Sequence, residues 1–126
     1  MSLVAGGLPA RLAALAALAA LAVLAAGCAW PGAASCPDGL DRCRAAAGVI
    51  VYVEAVDPDG DGDAHFVVAG AEGITAPGLT AIDVARDLRP RPLPRVGEWL
   101  SAAGPVQRGS FGQAQIEAVD VRAAGG

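Results

Sequence analysis

The sequence predicts an all-β domain behind an apolar leader, and three observations predict it. Gly48 to Ala69 holds two runs rich in β-branched and aromatic residues, Gly48 to Val56 and Asp63 to Ala69, joined by an acidic loop. No long stretch after residue 48 carries a helical apolar stripe. A chain of 126 residues suggests one domain, and its 54 % apolar fraction is unevenly spread. Residues 12 to 26 are nearly all Ala, Leu and Val, whereas the remainder has ordinary globular composition, rich in Gly and Pro.

The leader comes first in the chain. A short start carrying Arg11 precedes the apolar run, and small residues lie before Cys28. That is the layout of a secretory signal. The run also approaches the ~20 apolar residues that span a bilayer, so plain secretion and an uncleaved anchor stand as alternatives. Leu24-Ala25-Ala26-Gly27-Cys28 resembles the lipobox of bacterial lipoproteins, with Ala25 where that family more often has Leu. The resemblance implies that residues 1–27 are removed and that the Cys28 thiol takes a diacylglycerol group with palmitate-like chains. It implies residence at the cell membrane, on its extracytoplasmic face. Two or more acyl chains give stable attachment, where one is marginal.

Three cysteines are an odd number in an exported chain. If Cys28 carries lipid, Cys36 and Cys43 remain as a pair across Pro37 to Arg42. In an oxidising compartment a disulfide is expected there, and closing so short a loop stabilises by roughly 2.5 kcal/mol in the chain-entropy model. A metal pair would need more soft ligands, and the only histidine, His65, is distant in sequence. Residues 28–47 read as a tether ending in this knot, with one helical turn over Leu40 to Ala47.

The formal net charge is −4, with thirteen acids against nine basic residues, all of them Arg. Removing Arg11 with the leader leaves eight arginines against thirteen acids, a balance of −5. Such a chain offers no overall electrostatic footprint for nucleic acid.

Three further strands follow the first two. Leu79 to Val84 comes after the turn signal Ala76-Pro77-Gly78, Glu98 to Ala103 after Val96-Gly97, and Gln113 to Val121 after Gly109 to Gly112. Alternation puts Phe66 and Val68 on one face of the second strand, with His65 and Val67 on the other. In the fourth, Leu100 and Ala102 oppose Trp99 and Ser101. In the fifth, Ala114, Ile116 and Ala118 oppose Gln113, Gln115 and Glu117; the phase then shifts to Val119 and Val121, which suggests a bulge. Arg86 to Arg95 contains three prolines and cannot be a long helix. Residues 123–126 read as a disordered tail.

Five short strands over residues 48–122, with a curved first strand and a break between the third and fourth, resemble an OB-fold barrel. The segment Val96-Gly-Glu-Trp-Leu-Ser-Ala-Ala-Gly-Pro-Val106 is similar to the fourth strand of many such domains. The segment Asp61 to Val68 resembles one found in uncharacterised exported bacterial proteins of this shape. The resemblance implies a five-stranded OB-like β-barrel. Departures from nucleic-acid-binding members are the acidic first hairpin loop and the Pro-rich link between the third and fourth strands.

Candidate chemistry is sparse. Asp57, Asp59, Asp61 and Asp63 alternate as in the opening of a calcium loop, and alternating carboxylates in a turn can converge on one hard cation. The pattern then fails, with His65 at the ninth position and Val68 where a bidentate Glu is needed. The plain alternative is a solvated hairpin loop built from turn-forming residues. His65 has Ser101 and Ser110 as conceivable nucleophiles, but neither lies in a nucleophile-elbow pattern, so the expected protein is non-enzymatic. Tyr52, Phe66, Trp99 and Phe111 are candidate stacking residues, and Arg86, Arg89, Arg91 and Arg95 form a basic cluster. Trp99, Arg89 and Arg91 in one groove would make a ligand site. The expectation is therefore a lipid-anchored binding or interaction module without a cofactor. Its partner would be an envelope protein or glycan rather than nucleic acid. Calcium binding and oligonucleotide or oligosaccharide binding are the alternatives.

Overall fold

A computed structural model describes residues 32–55 and 62–124. The expected leader, Cys28, and Asp57, Asp59 and Asp61 lie outside these residues. The described chain is all-β, with six strands: β1 (Cys43–Glu54), β2 (Ala64–Ala69), β3 (Leu79–Val84), β4 (Trp99–Arg108), β5 (Ala114–Glu117) and β6 (Asp120–Ala123). Among the described residues the only helical element is a single 3-10 turn at Arg86–Leu88. It opens the Pro-rich segment, which continues without regular structure, as its prolines require.

The strands close on themselves in a ring. The order runs β1-β2-β3-β5-β4, and β4 pairs back onto β1. All pairings are antiparallel except that of β3 with β5. Closure depends on β1 serving two partners. Its first half, Cys43 to Val49, pairs with β4, and its second half, from Val49 onward, pairs with β2. The strand must bend where it changes partner. A register irregularity between Ile50 and Tyr52 supplies one kink. Gly48 supplies the other, because a Cβ there would lie 2.0 Å from the Ala69 carbonyl oxygen. Only a residue without a side chain lets the two backbones approach so closely.

Inside the ring, alternating residues form one core. Phe66, Ile50, Ile82, Leu100, Ile116, Val68 and Val84 are its large buried members. The second strand matches its predicted alternation: Ala64, Phe66 and Val68 are buried, and His65 and Ala69 are exposed. Thr80 is also buried, and its Oγ1 accepts the Ile74 amide at 3.1 Å, so its polar atom is satisfied.

Three expectations need correction. β1 starts at Cys43, so Cys43 to Ala47 is strand rather than tether or helical turn. The phase shift after Ala118 is more than a bulge. The strand breaks, the Val119 amide bonds the Ala103 carbonyl, and β6 continues along β4. Ala123, placed in the expected tail, pairs with Leu100 and packs against the core.

Cys36 and Cys43 form the expected disulfide, with their Cα atoms 5.8 Å apart. The segment before it is also fastened. The Ala34 amide donates to the buried Ser101 Oγ at 2.9 Å, and the Ser35 amide donates to Asp120 Oδ2 at 3.0 Å. The Ser35 amide foremost, with Arg122 behind it, holds the Asp120 carboxyl below its usual pKa against the opposing effect of desolvation. A carboxyl more acidic in the folded state stabilises above the unfolded pKa of about 4, and that contribution is lost as pH falls through the lower folded value. Asp120→Asn is therefore expected to speed hydrogen exchange at the Ser35 amide and to flatten the stability profile below about pH 4. Unchanged exchange at Ser35 would show that the carboxylate does not fasten this arm.

Candidate functional site

The outward-facing side chains of β1, β2, β3 and β5 form a groove. It has a volume of about 450 Å³, and its lining includes Tyr52, Glu54, His65, Val67, Phe111 and Gln113. Strand register builds it. Glu54 lies opposite His65, His65 opposite Asp83, and Asp83 opposite Glu117. Cross-strand partners on one face stand about 5 Å apart, so three carboxylates and a histidine make a row across four strands. One residue pair further along, Tyr52, Val67, Ala81 and Gln115 form a second, less polar row.

A close His–carboxylate contact and a chain of hydrogen bonds hold the polar side of this surface. His65 Nδ1 lies 3.2 Å from Asp83 Oδ1. Gln113 Nε2 donates to Gln115 Oε1 at 3.3 Å, and Gln115 Nε2 donates to Glu117 Oε1 at 2.9 Å. Gln115 is buried under this chain, which stiffens the β5 edge of the groove. The Phe111 amide donates to Gln113 Oε1 at 2.9 Å, and this bond sets the tip of the β4–β5 turn. Phe111 itself is 94 % exposed, and Tyr52 on the opposite wall is 53 % exposed. Two open rings on the walls of one groove offer faces on which a planar or puckered ring can stack.

This arrangement can stack a flat or puckered ring and offer acceptors and amides to hydroxyl or N–H groups. It is poorly suited to phosphates, which Glu54 in its wall and the Asp83 and Glu117 carboxylates in register beside it repel. Ser110 and His65 both line the groove. Ser101 is buried with its Oγ engaged by Ala34. No group of three or more metal-ligating side chains converges among the described residues. Of the four candidate calcium ligands, Asp63 alone is described; it is half-buried at the entrance to β2.

The three residues expected to share a ligand groove do not share one. Arg89 and Arg91 line a separate cavity of about 270 Å³ with Arg86, Pro90 and Leu93, and Trp99 is not among its walls. Arg89 Nη1 donates to the Gly62 carbonyl at 2.7 Å, so this arginine braces the exit of the acidic loop. Trp99 is half-buried at the start of β4, opposite Val49. The row from Glu54 to Glu117 and the glutamine chain were missed as a site. Their outward parity could be read from each strand, but the register that aligns them could not.

No protein-family model matches the chain, and no curated protein is similar enough to it to match.

Proposed function

We propose that the chain is an exported, lipid-anchored, non-enzymatic binding module built on an OB-like barrel, and that its groove takes an uncharged, hydroxyl-rich chain, a glycan of the cell envelope. The observation that carries this reading is the pair of exposed aromatics, Tyr52 and Phe111, flanking a groove walled by Glu54, His65 and the Gln113 and Gln115 amides, with Asp83 and Glu117 in register beside it. Stacking on the rings and hydrogen bonding to hydroxyls are the two interactions a sugar needs. The ring order and the parallel β3–β5 pair support an OB-like barrel. In that fold the face of strands two and three, with the loops joining strands one to two and four to five, binds oligonucleotides and oligosaccharides. Here the four-to-five loop supplies Phe111, and the row of acids that starts at Glu54 in the groove and runs along its side favours the sugar over the nucleotide.

Titration of the full chain, held in uncharged maltoside micelles, tests this. The probes are chitotetraose, cellotetraose and a ten-nucleotide oligothymidylate. At least one neutral tetrasaccharide is expected to bind, the oligonucleotide not at all. Phe111→Ala removes a fully solvated ring and should leave the fold intact while weakening sugar binding about tenfold, the scale of one lost stacking contact. Oligonucleotide binding without sugar binding would sink the proposal, as would unaltered sugar binding by the variant.

A further inference from the structure

We infer that a second site, at the end of the ring where β1 begins and β4 finishes, binds a phosphate-bearing anion through Arg42, Arg44 and Arg108. These arginines line a cavity of about 420 Å³ together with Val106, Gln107 and Ala114. The register brings them there. Arg44 pairs with Gly104, the Arg42 carbonyl accepts the Val106 amide at 3.0 Å, and Arg108 pairs with Ala114. Arg44 and Arg42 continue the inward parity of Ile50 and Ala46 on β1. Val106 and Arg108 continue that of Leu100 and Ala102 on β4. The three guanidinium groups thus belong to the open mouth of the core, with Val106 and Ala114 beneath.

Among the described residues, no carboxylate neutralises their charge. Arg95 pairs with Glu98 and Arg122 with Asp120, both away from this cavity. Arg108 Nη1 donates only to a neutral carbonyl, that of Gly112, at 2.8 Å. Asp38 and Asp41, in the adjoining disulfide loop, form no ion pair with the three. In a chain with thirteen acids, three arginines around one cavity with no carboxylate partner among the described residues are a marked segregation of charge. Arg42 adds a second sign. It is the only non-glycine residue with positive φ among the described residues, at 55°. A turn that needs only this conformation is served at less strain by Gly or Asn. Strain of this kind is found where a side chain must be placed.

Guanidinium groups suit phosphate because their planar forks meet its oxygens in pairs, and several can share one multivalent anion. Two sources share this chemistry, a lipid headgroup and a free phosphate compound. The headgroup is favoured if the anchor proposed above is correct. Six residues from Cys28 to Ala34 reach at most about 20 Å, which would keep the domain close to a lipid surface. The site itself does not depend on the anchor or on the sugar groove.

The test uses full chain labelled with 15N-arginine in maltoside micelles. One arm titrates inorganic phosphate. The other dopes the micelles with phosphatidylglycerol or, as a control, phosphatidylcholine. The Nε–H resonances of Arg42, Arg44 and Arg108 are expected to shift and saturate while those of Arg91 and Arg122 stay. The Arg44→Gln/Arg108→Gln double variant should weaken the response at least about tenfold. Saturation by inorganic phosphate alone supports the site with a free anion as ligand. A response confined to phosphatidylglycerol supports it with a headgroup as ligand. No shift in either arm overturns the inference, and so does a uniform shift of all arginines or an unchanged response in the double variant. The exposed positions should tolerate these changes, and Arg42→Gly, which removes the strain and the charge together, should bind more weakly while remaining folded.

Discussion

Phe66→Ala is expected to lower the stability of the domain by about 3–5 kcal/mol, the usual range for truncating a buried phenylalanine. Phe66 is fully buried and is the largest such side chain in the ring. It stands in the middle of β2, opposite Val53 on β1 and Ile82 on β3, so its ring contributes to the core between three strands. The surrounding Ile50, Val68 and Ile116 are held in strands that close on one another, which limits how far they can collapse into the space left behind. A cavity that cannot collapse retains its full cost. Domains of this size are stable by roughly 5–15 kcal/mol, so the variant should lie near the threshold of folding. Urea titration checks it: the midpoint should fall while the slope stays the same. Phe66→Leu, which keeps most of the volume, should cost far less. A loss below about 1 kcal/mol for Phe66→Ala would show that the ring adapts and that its core is not close-packed.

The same strand shows why much of the fold was legible and part of it was not. In β2, hydrophobic and polar residues alternate cleanly, and burial follows that alternation. Where this signal is strong, local sequence and tertiary environment agree. At Cys43 to Ala47 they conflict. Arg44 and three alanines favour a helix, yet pairing with Ser101 to Pro105 on β4 holds them extended. That partner lies more than fifty residues away, so no local pattern announces it. The parallel contact of β3 with β5 is hidden for the same reason. The candidate sites inherit this limit. Tyr52 and Phe111 stand out as aromatics in any reading. Glu54, His65, Asp83 and Glu117 become a row only once four strands are in register. Arg42, Arg44 and Arg108 likewise meet only because β1 and β4 pair at their far ends. Residue type marked the conspicuous Arg86–Arg95 cluster instead, whose Arg89 is occupied in bracing Gly62.

The two sites also divide the charge of the domain. The acidic row occupies the outer face of β1, β2, β3 and β5, and the three arginines occupy the mouth beside β4. The formal net charge of −4 therefore describes neither surface. An anion is repelled by the first and attracted by the second. Salt should weaken the second more than the first, since exposed charges are screened over about 10 Å at ordinary ionic strength and stacking is not.

Gly104→Ala tests the joint on which both the ring and the arginine mouth depend, and it is expected to destabilise by about 2–4 kcal/mol. Gly104 is buried in β4 opposite Arg44. A Cβ added there would fall 1.8 Å from the Glu117 carbonyl oxygen and 2.7 Å from its carbon. Both are backbone atoms, so no side chain can turn aside to make room. Glu117 is the last residue of β5, directly before the break at Ala118 and Val119 where the chain steps along β4 into β6. The methyl group would push that step away from β4. The Val119–Ala103 hydrogen bond, 2.8 Å long, should lengthen first, followed by the Ala118–Asp83 bond at 2.9 Å, which ties the same step to β3. Hydrogen exchange at Ala118 and Val119 should therefore rise by more than the global loss of stability explains. An isosteric control separates this from a general glycine effect. Gly97→Ala, at an exposed turn with open space around its Cβ but φ at +94°, should cost about 1–2 kcal/mol through backbone strain alone and leave Ala118 and Val119 protected. If Gly104→Ala were tolerated with both amides still protected, β5 and β6 would have to ride further from β4 than this geometry has them, and the closure of the ring through β4 and β5 would be looser than its register implies.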